Sequence, residues 1–105
     1  MADQRKLTYA RRAQKDLQSL EKRFALQILA DLPLLEHPPW PPGKVKRLVG
    51  TEWWELKTGD YRTIFWPDRT DVVILRVVNR RDLDRQMPRV KPADLATWLR
   101  LHRTE

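Results

Sequence analysis

Between His37 and Gly43 the chain reads HPPWPPG, with four prolines in seven residues. Proline lacks a backbone N–H and disfavours helix in the residue before it. No helix crosses such a run, and no interior strand does. The chain is therefore divided into a first part with helical periodicity and a second part with strand signals, joined by a stiff connector. Trp40, with prolines on both sides, is expected to pin that connector to the body.

Upstream of the connector, Lys6 to Tyr9 is a short strand candidate. From there apolar residues fall at Ala13, Leu17, Leu20, Phe24, Ile28, Leu32 and Leu35, one helical face. Lys15, Asp16, Glu21 and Lys22 occupy the other side. No glycine or proline interrupts before Pro33, so one long helix and a hairpin breaking near Ser19 to Lys22 both fit. Downstream, Trp53 to Thr58 and Tyr61 to Trp66 alternate on either side of Gly59-Asp60, a tight-turn pair. Pro67-Asp68-Arg69-Thr70 makes the next turn, and Val72 to Val78 is a β-branched run suited to burial on both faces. After a polar segment punctuated by proline, Ala93 to His102 reads as a short helix with Leu95, Trp98 and Leu99 inward and Pro92 at its start.

That order predicts an α+β fold with an N-terminal strand, a helical segment, a three-stranded antiparallel meander completing one sheet, and a short C-terminal helix. At 105 residues the chain is expected to be one domain, 1–105. Lys plus Arg number 21 against 14 Asp plus Glu, a net +7, so the partners to look for are anionic. With no cysteine there is no disulfide or thiolate zinc site, which fits a reducing cytoplasm. His37 and His102 stand far apart, so neither a metal nor a cofactor is expected. Ser19, the one serine, sits in a helical pattern and not in a nucleophile's setting. The N-terminus lacks an apolar signal core and no run reaches membrane-span length, so no membrane partner is expected.

The strand register decides where the cations meet. If Gly59-Asp60 is a two-residue loop, Thr58 pairs with Tyr61, Lys57 faces Arg62, and Trp54 faces Phe65. If the second loop is Asp68 to Thr70, Phe65 faces Val73 and Arg62 faces Arg76. Lys57, Arg62 and Arg76 then form one row across three strands, an arrangement that repels itself unless an anion sits on it. Arg80 and Arg81 follow at the end of the last strand, and Lys44, Lys46 and Arg47 precede the first. The competing reading pairs each arginine with a nearby carboxylate. Arginine's fork suits phosphate oxygens, so Lys44, Lys46, Arg47, Lys57, Arg76 and Arg81 are the expected contacts to an anionic partner, RNA among the candidates.

LTYARRAQKDLQSL at the start, KVKRLVG, ELKTGDYRTIF and VVILRVVNRRDL together resemble the RelE/ParE superfamily of bacterial type II toxin–antitoxin toxins. The resemblance runs from about Lys6 to Leu83. It implies a RelE-like fold with an α-helical hairpin in place of one long helix, and a cognate antitoxin as partner. In the RelE branch it implies cleavage of mRNA on the ribosome, with Arg62 and Arg80 at the phosphate-binding positions. The chain departs from that branch at Trp53 and Glu55, where lysines are common, and at Asn79 and Asp84, where relatives carry histidine and tyrosine. ParE-like members share the fold, target DNA gyrase and need no nuclease site.

RNA cleavage needs a base for the 2′-OH, cations for the dianionic phosphorane, and a proton for the departing 5′-oxygen. Arg62 and Arg80 are expected to supply the cations, with Glu55 or Asp84 as catalytic carboxylate. Lys57, beside Arg62, is a further proton-transfer candidate. Three functions follow: a ribosome-dependent, metal-independent endoribonuclease, a gyrase-binding toxin, and a degenerate member that only binds RNA or a partner.

Overall fold

A computed structural model of the chain describes residues 4–86. The expected helix Ala93 to His102, with Trp98, lies outside the described residues. β1 (Lys6–Tyr9) opens the fold, and the Ala10 N–H donates to Ile74 O as the chain turns into α1 (Arg11–Ser19). That helix ends where the Ser19 hydroxyl donates to Asp16 O at 2.8 Å, a local bond that competes with helical continuation. Leu20 and Glu21 are extended, with ψ 154° and 142°, and α2 (Lys22–Asp31) runs from there. The helical stretch is a hairpin, broken without glycine or proline.

The apolar stripe survives the break because both helices cover the same sheet. Ala13, Ile28, Leu32 and Leu35 are buried in one cluster with Leu56, Phe65, Val72 and Ile74, and Leu17 and Leu20 pack at its edge. A 3-10 turn over Leu32–Glu36 leads into the proline run, whose Pro38–Pro39 peptide is cis. Trp40 pins the run as expected. Its Nε1 donates to Leu35 O at 3.2 Å, and its ring meets Trp54 and Phe65 edge-on, each at 5.4 Å.

The sheet has five strands in the order β1-β5-β4-β3-β2, with β2 at Val45–Arg47, β3 at Trp54–Thr58, β4 at Tyr61–Pro67 and β5 at Asp71–Asn79. β1 runs parallel to β5, and the other pairs are antiparallel. β2 was not expected as a strand. It is three residues long, too short to show alternation, and two of them are the exposed cations Lys46 and Arg47. Charge on a short edge strand discourages pairing with another chain. On β5, Val72 to Val78 are all buried, as a run of that composition predicts. A second, smaller cluster of Trp53, Ile64, Val73 and Leu75, with Leu48, Trp66 and Leu83 against it, fills the sheet's other face.

The first hairpin has the expected register, with Thr58 opposite Tyr61, Lys57 opposite Arg62 and Trp54 opposite Phe65. The second does not. Trp66 pairs with Val73 and Phe65 with Ile74, one residue off the expectation, because the loop is shorter: the Asp68 N–H donates to Asp71 O at 2.7 Å. A bulge then places Ile64 opposite Arg76 and Arg62 opposite Val78. The row of Lys57, Arg62 and Arg76 is not formed.

Arg76 instead reaches Asp16 of α1, with Nε 2.8 Å from Oδ2 and Nη2 3.3 Å from Oδ1. Asp16 Oδ2 also accepts the Val77 N–H at 2.9 Å. β1's pairing with β5 stops at Ile74, so this carboxylate replaces a missing strand neighbour. Asp31 does similar work between α2 and β3, where its Oδ2 accepts from Lys44 Nζ at 2.8 Å and from Thr58 Oγ1 at 2.7 Å. Partial burial raises the Asp31 pKa, but the bonds from Lys44 and Thr58 outweigh it and hold the carboxyl below its usual range.

Two outcomes follow. Asp16→Ala leaves the buried Arg76 guanidinium without this carboxylate and the Val77 N–H unpaired, and urea unfolding is expected to show a loss of roughly 3 kcal/mol. A depressed folded pKa at Asp31 means its stabilisation is present above the ordinary carboxyl value and disappears as pH falls through the lowered one. Unfolding curves taken below about pH 4 are therefore expected to lose part of their pH dependence in Asp31→Asn.

Candidate anion-binding site

β4 starts where β5 finishes, with Tyr61 opposite Asn79. Gly59, with φ +58°, makes the tight turn into β4, a conformation L side chains rarely adopt. The Arg80 N–H donates to Asp60 O at 2.7 Å and fastens the end of β5 to that turn. Asn79 Oδ1 accepts the Arg81 N–H at 3.0 Å and caps the short 3-10 turn Arg80–Asp82. Between this corner and α2 lies an open cavity of about 560 Å³, lined by Phe24, Gln27, Gly59, Asp60, Tyr61, Asn79, Arg80 and Arg81.

Its walls differ in chemistry. Phe24 and Tyr61 pack at 5.3 Å between ring centroids, and the Arg23 guanidinium lies 4.5 Å from the Phe24 centroid. Opposite stand two exposed guanidiniums, Arg80 and Arg81. Arg80 Nε is 3.5 Å from Asp60 Oδ1, with both side chains about two-thirds exposed to solvent. Such a pair holds little energy and gives way readily to a competing anion.

Arg62, the expected partner of Arg80, does not line this cavity. Its Nη1 donates to Gly59 O and Tyr61 O, both at 2.9 Å, and its Nε lies 3.8 Å from Glu55 Oε1. Its side chain is 12% exposed and that of Glu55 3%. Glu55 Oε2 is buried with no hydrogen-bond partner among the described residues. The geometry makes Arg62 a clamp on the turn that forms the cavity rim.

The remaining candidates are scattered. Lys44 and Arg76 are bound to Asp31 and Asp16, Lys46 and Arg47 lie on the edge strand β2, and the Arg47 Nε donates to Thr51 O. Lys57 is half-buried opposite Arg62. Asp84 falls on α3 (Leu83–Gln86), and its side chain lies outside the described residues. Asp60 was read from sequence only as a turn residue, and Phe24 only as core. Their second role comes from their neighbours, and the sequence carried no separate signal for it.

A sheet backed by a helical hairpin, with a cationic corner at the end of its last strand, defines a toxin-like α+β domain. A model of the ParE toxin of type II toxin–antitoxin systems matches residues 7–84, and the chain belongs to that family. Among solved structures it is similar to the RelBE2 toxin–antitoxin complex of Mycobacterium tuberculosis, at 26% identity and TM-score 0.61 over 73% of this chain and 92% of that one. The archaeal RelE–RelB complex of Pyrococcus horikoshii gives 28% identity and TM-score 0.62 over 73% and 96%. YafQ of E. coli, at 18% identity and TM-score 0.56 over 76% and 98%, shares the fold. No curated protein matches. No described helix is long and apolar enough to cross a membrane.

The geometry separates structural from exposed arginines. Arg62→Ala leaves Glu55 buried and unpaired, and a loss of about 2 kcal/mol in urea unfolding is expected. Arg80→Ala is expected to change stability by less than about 0.5 kcal/mol.

Proposed function

We propose that this toxin is a RelE-like, metal-independent endoribonuclease that stops translation by cutting mRNA on the ribosome in the cytoplasm, and that a cognate antitoxin neutralises it. One observation carries the reading: two exposed guanidiniums, Arg80 and Arg81, share a nucleotide-sized cavity with an aromatic wall and a carboxylate. The likeness to two RelE structures supports it.

In this mechanism the scissile phosphate displaces Asp60 from Arg80. The freed carboxylate takes the 2′-OH proton, and the 2′-oxygen attacks the adjacent phosphorus. Arg80 and Arg81 stabilise the charge that grows on the phosphorane oxygens. The 5′-oxygen leaves with a proton from water, giving a 2′,3′-cyclic phosphate and a 5′-hydroxyl. Fixed cations of this kind account for a large share of such catalysis, and losing one donor costs roughly 10²–10³ in rate. Arg62 acts through the turn it clamps, and Glu55 acts through Arg62.

A second reading is a gyrase-binding toxin without nuclease chemistry. It is favoured by the Arg62–Glu55 pair, which occupies the arginine a RelE-type site would use, and by the ParE family match. Expression of the wild type, Arg80→Ala and Asp60→Asn with genome-wide mapping of mRNA 5′ ends separates the two. Codon-phased breaks that both variants lose are expected. Intact mRNA with trapped gyrase–DNA complexes overturns the nuclease and supports the second reading.

A further inference from the structure

The outer face of α1 (Arg11–Ser19) is a second cationic surface, separate from the corner at Arg80. Its sequence RRAQKDLQS carries three cations and a single carboxylate. That carboxylate, Asp16, is turned inward to Arg76 and the Val77 N–H, with Arg12 Nε 3.8 Å from its Oδ1. Arg11, Gln14, Lys15 and Gln18 fall at intervals of three and four, so they share one face, and all four are exposed. Gln14 donates from Nε2 to Tyr9 O at 3.4 Å, which leaves its Oε1 as an acceptor. The helix runs beside β5 in the direction of that strand, since Ala10 meets Ile74 and Asp16 meets Val77. The patch therefore leads toward the end of β5.

Apolar and aromatic side chains are missing from these four positions. An acidic amphipathic helix would find nothing to bury there, and a single strand would find no ring on which to stack a base. A duplex keeps its bases inside and presents phosphates and, in RNA, 2′-hydroxyls. Arg11 and Lys15 stand about 6 Å apart along the helix axis, close to the separation of neighbouring phosphates on one strand. Amide side chains both give and take hydrogen bonds, as a 2′-hydroxyl does, whereas a phosphate diester only accepts. We propose that the outer face of α1 is a docking surface for duplex RNA, with Arg11 and Lys15 on successive phosphates and Gln14 and Gln18 on 2′-hydroxyls. This surface is independent of the cutting reaction at Arg80.

The test uses purified full-length protein and fluorescent duplexes of about 16 base pairs, RNA and DNA of one sequence. Anisotropy over a series of salt concentrations compares the wild type with Arg11→Gln/Lys15→Gln and with Gln18→Leu. The control, Lys6→Gln/Arg69→Gln, removes two exposed cations at the opposite end of β5. At low salt the wild type is expected to bind the RNA duplex about 5-fold more tightly than the DNA, what one added hydrogen bond supplies. Arg11→Gln/Lys15→Gln is expected to lower the slope of log Kd against log salt by about 2, and the control by less than about 0.5. Gln18→Leu is expected to keep the slope and to bring the RNA-to-DNA ratio below about 2. Equal binding of the two duplexes, a slope lowered alike in both double variants, or no binding of either duplex overturns the proposal. Polyglutamate that displaces the RNA as readily as unlabelled duplex does also overturns it, and assigns the face to an acidic protein. Codon-phased breaks in the mRNA 5′-end maps report on the cutting reaction separately in every case.

Discussion

The Asp16 carboxylate joins the helical half of this chain to its sheet. It sits where β1 stops pairing with β5, receives the Val77 N–H that would otherwise face a missing strand, and neutralises Arg76 beside it. Without such a partner the exposed edge of β5 would carry an unpaired backbone donor and a buried cation, both costly. The same carboxylate stands in the last turn of α1, where its backbone carbonyl takes the Ser19 hydroxyl. One residue thus takes part in the helix break, the strand edge and the fate of an arginine.

That fate governs the electrostatics. A chain of net charge +7 could spread its cations as one anionic-ligand surface, but the fold distributes several of them inward. Asp16 takes Arg76, Asp31 takes Lys44, and Glu55 takes Arg62. The guanidiniums of Arg80 and Arg81 are left at the end of β5, where the nearest carboxylate, Asp60, is itself exposed. The corner they occupy also offers a cavity and aromatic surface. Arg62 reaches that corner only indirectly, through the carbonyls of Gly59 and Tyr61. Family membership and fold are common to toxins with different targets, so the corner's chemistry is what argues for RNA.

Much of the architecture was legible in the chain itself. The proline run marked the passage from helices to sheet, the tryptophan inside it marked the anchor, and Gly59-Asp60 set the first hairpin's register. A two-residue turn leaves no freedom in pairing, and side chains alternate strictly from there. Burial of Val72 to Val78 on both faces followed from their β-branched character. The hairpin in the helical half needed the family resemblance, because nothing in its periodicity distinguishes a bent stripe from a straight one.

The sequence by itself determined the strands β1, β3, β4 and β5, the apolar helical stripe, the first turn and the surplus of positive charge, since these depend on local geometry and side-chain type. Only the tertiary structure decided the register of β4 with β5, the carboxylates that Arg62, Arg76 and Arg80 meet, and the meeting of Phe24, Asp60 and Arg80 around one cavity. The physical reason is that a shorter loop and one bulged residue shift the register by two, and that ion pairs such as Asp16 with Arg76 join positions 60 residues apart. Neither leaves a trace in neighbouring residues.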